Sequence, residues 1–94
     1  MKPFDCDICK QKMQIQDAIV RWHFEKERKI IDNLQIVHNK LPCNAKGEGE
    51  YFNRQLPLNF VYKNMPEFIY YLNRFNLSKN LIKDFIFEFN VSFG

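Results

Sequence analysis

The chain reads as an α+β fold in which an N-terminal β-hairpin, bearing a Cys/His knuckle, precedes two C-terminal amphipathic helices. Three observations carry that expectation. Apolar residues alternate with a period of two over residues 18–24, they recur at three- and four-residue spacing from Met65 onwards, and two short Cys/His pairs stand on either side of the hairpin. At 94 residues there is room for one core, so residues 1–94 are read as a single small domain. Hydrophobic residues at 46% and aromatics at 16% give the composition of a packed domain and exclude a disordered tail.

The elements follow in order. Cys6-Asp7-Ile8-Cys9 lies between Asp5 and Lys10 and reads as a turn. Ala18, Val20, Trp22 and Phe24 then fall on one face and Arg21 and His23 on the other, the pattern of a half-buried strand anchored by Trp22. The mixed-charge run Glu25-Lys26-Glu27-Arg28-Lys29 is a solvated connection. Leu34-Gln35-Ile36-Val37-His38 is the second strand, with Ile30 and Ile31 extending it backwards, and the two strands form an antiparallel hairpin. Pro42, Gly47 and Gly49 mark a loop over residues 39–50. Leu56-Pro57-Leu58-Asn59 reads as a second irregular stretch, and residues 51–62 receive no assigned element.

In the C-terminal third, Asn64 stands at a cap position with Glu67 three residues on, as in a capping box. Met65, Phe68, Ile69, Leu72 and Phe75 supply the apolar stripe of a helix over Met65–Phe75. Ser78 can cap a second helix in which Leu81, Ile82, Phe85, Ile86 and Phe89 share one side. Phe85, Phe87, Phe89, Val91 and Phe93 also alternate as a strand would, so both templates stand over residues 85–93. The cap, together with Leu81 and Ile82, favours the helix.

The pattern that carries chemistry is Cys6-x2-Cys9, then 28 residues, then His38-x4-Cys43. Two residues between thiolates let one turn offer both sulfurs to the same ion, and a hairpin can return the chain with His38 at a strand end and Cys43 just beyond. Three thiolates and one imidazole are the donor set of a closed, tetrahedral structural Zn2+ site, which in so small a domain also substitutes for missing core. The competing reading makes the three cysteines small buried hydrophobes and His38 an ordinary residue closing a strand. His23 is a rival ligand, since it lies on the other strand of the hairpin. Lys10 stands after the second Cys, where such a turn favours a glycine with positive φ. Three thiolates and a divalent ion take the formal charge of +3 to +2.

Several function classes are excluded or weakened. Acidic and basic residues interleave along the chain, so no block announces a nucleic-acid or membrane surface. No apolar run reaches the length of a membrane span, and Met1-Lys2-Pro3-Phe4-Asp5-Cys6 has no signal-type stretch, so a cytoplasmic location is expected. An odd cysteine count fits that reducing compartment. The chain contains no Gly-rich phosphate loop, nucleophile elbow or His-Glu-x-x-His helix, and a closed zinc has no position for water. The expectation is therefore a protein without enzymatic activity. Frequent Lys, Asn, Ile and Phe reflect the codons of an A+T-rich bacterial or phage genome.

Cys6-Asp7-Ile8-Cys9, the strand Asp17-Ala18-Ile19-Val20-Arg21-Trp22, the segment Leu34-Gln35-Ile36-Val37-His38-Asn39 leading to Cys43, and Leu58-Asn59-Phe60-Val61 before the helices resemble small uncharacterised zinc-site proteins of Firmicutes and their phages. The resemblance implies the zinc site and the α+β fold and carries no activity across. With aromatics in excess of what a small core needs, the expected function is a protein–protein interaction module or inhibitor. It would bind a protein partner, or itself, through an aromatic surface. The alternative is a nucleic-acid-associated regulator.

Overall fold

The computed structural model describes residues 4–75 and 83–87. The elements are β1 (Phe4–Asp5), β2 (Lys12–Met13), a 3-10 turn at Ile15–Asp17, β3 (Ala18–Glu25), β4 (Ile30–His38), a second 3-10 turn at Glu48–Glu50, β5 (Arg54–Pro57), α1 (Leu58–Lys63) and α2 (Met65–Asn73). Residues 83–87 are also helical. The mixed α+β class and the N-terminal hairpin are therefore those the sequence pattern indicates.

The sheet is antiparallel, with strand order β4-β3-β5. Ala18 pairs with His38, Val20 with Ile36 and Arg21 with Gln35 on one side of β3, while Ile19 pairs with Pro57 and Trp22 with Arg54 on the other. The β3–β4 register shifts between Arg21 and His23, where Asn33 adopts φ 53°. Asn is among the few side-chain-bearing residues that take this left-handed conformation readily, so it can supply the extra residue of a bulge. β1 and β2 form a separate two-residue ribbon, with Phe4 opposite Met13 and Asp5 opposite Lys12, that carries the Cys6–Cys9 turn at its tip.

Both faces of β3 are covered. On the Trp22 face lies α2: the Trp22 ring meets Phe68 edge-on at 5.6 Å and Tyr71 at 6.2 Å, and Phe24 meets Phe75 at 5.0 Å. Phe85 joins this layer against Phe68. The opposite face is roofed by the segment after β4, whose Tyr51 stacks on His23 at 4.2 Å and whose Phe52 ring lies under the Arg21 guanidinium. Val20, Ile36, Val37, Leu58, Val61 and Leu72 are completely or almost completely buried at the centre.

Three expectations change. Arg21 is not on a solvated face; at 3% exposure it is a buried charged side chain. Ile19, on the same face, already hinted that this side of the strand is covered. Leu56-Pro57-Leu58-Asn59 is not irregular but the junction of β5 and α1. Pro57 is acceptable there because it occupies the last position of a strand paired on one side only and fixes φ just ahead of a helix. The capping box at Asn64 and Glu67 does not form: Asn64 makes no side-chain cap bond to α2 and instead donates from Nδ2 to the Phe60 carbonyl at 2.9 Å, closing α1. α1 and α2 abut at this residue, so it serves the end of the first. The expected cap at Ser78 and the stretch beyond residue 87 lie outside the described residues, while within them residues 83–87 follow the helical template.

Candidate metal centre

The knuckle at Cys6–Cys9 is shaped by its own backbone. Cys6 N–H donates to the Gln11 carbonyl and Lys10 N–H to the Cys6 carbonyl, each at 2.9 Å, which folds the chain back on itself. Lys10 has φ 64°, the left-handed conformation expected one position after the second Cys and here adopted by a residue with a Cβ. The Ile8 N–H points at the Cys6 sulfur at 3.4 Å. Asp7 attaches the knuckle to β4: its N–H donates to the Ile36 carbonyl at 2.9 Å, and its Oδ2 accepts from the Ile36 N–H at 2.7 Å. The tip of the ribbon is thereby held beside β4, two residues before the strand delivers His38.

The second pair arrives from the far end of the same strand. His38 closes β4, and Asn39 N–H donates to the Asp17 carbonyl at 2.8 Å. Residues 41–44 then turn through a cis Leu41–Pro42 bond, with Asn44 N–H on the Lys40 carbonyl, and place Cys43 in a buried position. The result is a group of four: one donor atom from each of Cys6, Cys9, His38 and Cys43, all within 4.8 Å of one another. Cys9 Sγ and His38 Nδ1 are 3.4 Å apart. Zinc bonds of about 2.3 Å to sulfur and 2.0–2.1 Å to nitrogen in a tetrahedron set those edges at about 3.6 Å for S···N and 3.8 Å for S···S. The set therefore needs to contract by no more than about 1 Å to close on an ion.

Electrostatics favour a cation at this point. Burial works against the Cys6 thiolate, but hydrogen bonds from the backbone at Cys9, His38 and Ile8 and from the His38 side chain outweigh it and bring the thiol down to about 6. Cys43 moves the other way, pushed up to about 11 by burial and by the neighbouring sulfurs of Cys9 and Cys6. Three sulfurs at this spacing cannot all carry charge by themselves, and a divalent ion removes that conflict. Asp7 is shifted upward by burial, against the pull of the Ile36 N–H and the Lys10 and Arg21 charges.

The pattern Cys6, Cys9, His38 and Cys43 is thus brought together as the spacing anticipates. The rival, His23, is elsewhere: its Nδ1 lies 2.6 Å from the Tyr51 carbonyl and its ring stacks on Tyr51. Sequence reasoning overlooked two residues around the cluster. Asp7 sits inside the Cys-x2-Cys turn and fastens it to the sheet, and Arg21 holds the segment that follows Cys43. Arg21 Nε and Nη2 donate to Gln35 Oε1 at 3.1 and 2.9 Å, and Nη1 donates to the Ala45 carbonyl at 2.6 Å. Burial lowers the Arg21 pKa, while the charges of Cys6, Asp7 and Cys43 raise it.

Two surface concavities flank this frame. A polar cleft of about 480 Å³ borders His38 and is lined by Lys12, Gln14, Gln16, Asp17, Asn39 and Lys40. An apolar groove of about 490 Å³ lies between β5 and the helices, walled by Trp22, Leu56, Phe60, Phe68 and Tyr71 with Arg54 and Glu67 at its rim. Among the described residues no helix is long and apolar enough to cross a membrane. No protein family, curated protein or solved structure matches the chain.

Proposed function

We propose that Cys6, Cys9, His38 and Cys43 hold one structural Zn2+ and that the protein is a cytoplasmic, non-enzymatic interaction module whose fold the ion staples. The convergence of four donor atoms within 4.8 Å, from two segments far apart in sequence, carries the metal reading. Sulfur-rich, borderline-soft ligation in a tetrahedral set suits zinc, and a filled set of four leaves no position for a reactive water. Free thiols in all three cysteines fit a reducing compartment. The contact surface of this reading is the aromatic groove between β5 and the helices, in which Phe60 is 53% exposed. That surface serves a protein partner or a second copy of the chain.

The test is metal analysis of the purified chain, followed by capture of partners from the source lysate with and without nuclease. About one zinc per chain, lost in Cys43→Ser, and a nuclease-resistant partner lost in Phe60→Ser are the expected results. A chain that purifies without metal and takes up none overturns the zinc reading. A second reading, a nucleic-acid-associated regulator, is favoured by the cleft beside His38, where two lysines and three side-chain amides stand together. It predicts capture that is lost with nuclease and weakens steeply with salt.

A further inference from the structure

We propose that the free edge of β5 takes an extended peptide as a further antiparallel strand, and that this peptide carries an apolar residue two positions before an acidic one. The proposal rests on the groove reading above and is independent of the metal. In the order β4-β3-β5, β5 is an edge. The register decides which of its backbone groups are open. Asn39 N–H donates to the Asp17 carbonyl, one step beyond the Ala18–His38 pair, so Asp17 and Asn39 form a hydrogen-bonded pair. The same therefore holds two steps on for Ile19 with Val37, and then for Arg21 with Gln35. The alternate residues of β3, Val20 and Trp22, turn their backbone groups to β5, where Leu56 and Arg54 stand opposite them. Gln55 and Pro57 are left facing outward. Pro57 has no N–H to offer and, as the N-cap of α1, gives its carbonyl to the helix. The open pair is the N–H and C=O of Gln55, which no backbone bond reaches from outside among the described residues. An unpaired pair of this kind is a template for another strand.

The same register fixes where the incoming side chains go. Residues directly opposite share a face, so Leu56 and Arg54 project on the Trp22 side of the sheet, where the groove opens. The residue that pairs with Gln55 points to the other face, and its two neighbours point to the groove, one opposite Leu56 and one opposite Arg54. The groove walls at Trp22, Phe60, Phe68 and Tyr71 suit an apolar side chain opposite Leu56. Arg54 makes no ion pair among the described residues; its Nη1 donates to the Asn53 carbonyl at 3.0 Å. An acidic side chain directly across the strands complements that cation. Antiparallel pairing brings the residue opposite Leu56 first and the residue opposite Arg54 two positions later, which gives the order apolar-x-acidic. A second copy of β5 paired about Gln55 would set Arg54 against the other chain's leucine and leave its charge unanswered. A helix laid in the groove would leave the Gln55 backbone unused.

The test selects a displayed library of random heptapeptides on the full chain and titrates the best of them, made with blocked termini. Binding is followed by the fluorescence of Trp22, the one tryptophan of the sequence, which lines the groove. Selected peptides should share an apolar residue two positions before Asp or Glu. N-methylation of the residue between these two removes the N–H that meets the Gln55 carbonyl and should weaken binding by about tenfold or more. N-methylation of either flanking residue, whose amide points away from β5, should cost less than about threefold. Gln55→Pro removes only an outward N–H of the protein and should abolish binding, while Arg54→Glu should turn the selection to Lys or Arg at the acidic position. A library that yields no binder, or binders with apolar residues at helical spacing, overturns the proposal. So does binding that ignores N-methylation of the central residue. Peptides that fail in this way yet are lost in Phe60→Ser leave the groove reading in place, whereas the absence of any peptide and of any captured partner overturns both. Sedimentation of the chain alone covers the remaining occupant: a dimer that Gln55→Pro dissolves assigns the edge to a second copy and overturns the proposal.

Discussion

On the zinc reading, removing the metal should release the N-terminal ribbon before it unfolds the sheet. Without an ion, residues 4–13 are held by the two Asp7–Ile36 hydrogen bonds, by the short β1–β2 pairing and by burial of Phe4 and Met13. Each hydrogen bond is worth about 1 kcal/mol net, and each buried side chain about 1.5–3 kcal/mol. The ordering entropy of ten backbone residues opposes these contacts, so this segment is the part of the fold that gains most from a further tie. On the zinc reading an ion joining Cys6 and Cys9 to His38 and Cys43 is that tie, through binding free energy available only to the folded arrangement.

At free zinc 100-fold above its dissociation constant that linkage amounts to about 2.7 kcal/mol, and for a domain of this length it corresponds to a rise in Tm of about 10–20 °C. The assay is thermal melting with zinc and with excess chelator, joined to hydrogen exchange. The amides of Cys6, Asp7, Lys10, Asn44 and Ala45 should lose protection first, ahead of those at Val20 and Val37. Superimposable melting curves, with protection of Cys6 and Asp7 unchanged on chelation, would refute the reasoning.

Other substitutions probe separate parts of the frame. Trp22→Ala should cost about 3–5 kcal/mol in denaturant unfolding, because the ring anchors α2 on the sheet. Trp22→Phe should cost far less than that, since the indole Nε1 is buried with no hydrogen-bond partner among the described residues and its removal relieves an unsatisfied donor. Lys10→Gly should raise the melting temperature by a few degrees, consistent with about 0.5–1 kcal/mol, as the knuckle holds this residue at φ 64°. His23→Gln should leave metal stoichiometry at the parent value by elemental analysis, whereas His38→Gln should abolish full loading, because only His38 stands within reach of the three sulfurs.

The parts of the fold that were legible in the sequence are those in which one strong local rule acts alone. Alternation over residues 18–24 located β3, and the helical stripe from Met65 located α2 to within two residues of its end. The ligand spacing placed Cys6, Cys9, His38 and Cys43 together because a hairpin converts sequence separation into proximity. Where two rules compete, the local signal misleads. Pro57 reads as a breaker, yet it ends an edge strand and precedes a helix; Asn64 reads as an N-cap, yet its amide is taken by the Phe60 carbonyl of the helix before. β5 is too short, at four residues, to show a period, and is created by its pairing with β3.

Arg21 is the instructive case, because the rule that misplaced it is also the one that explains it. A charged residue on the alternate face of a strand ordinarily marks solvent, and the chemistry that reverses this lies in residues remote in sequence: Gln35 and Ala45 with their acceptors and Phe52 with its ring. A small domain that closes one face with a loop instead of a second sheet has few apolar side chains to spend there. Arg21 fills that face instead, its donors taken by Gln35 and the Ala45 carbonyl, and it ties the segment after Cys43 to the strand. Fold and site are in this sense one structure. The loop that roofs β3 is held by Arg21 through the Ala45 carbonyl, and the same loop brings Cys43 to Cys6, Cys9 and His38. Loss of Arg21 should therefore loosen the loop and displace Cys43, while the packing of Trp22 against α2 on the opposite face survives.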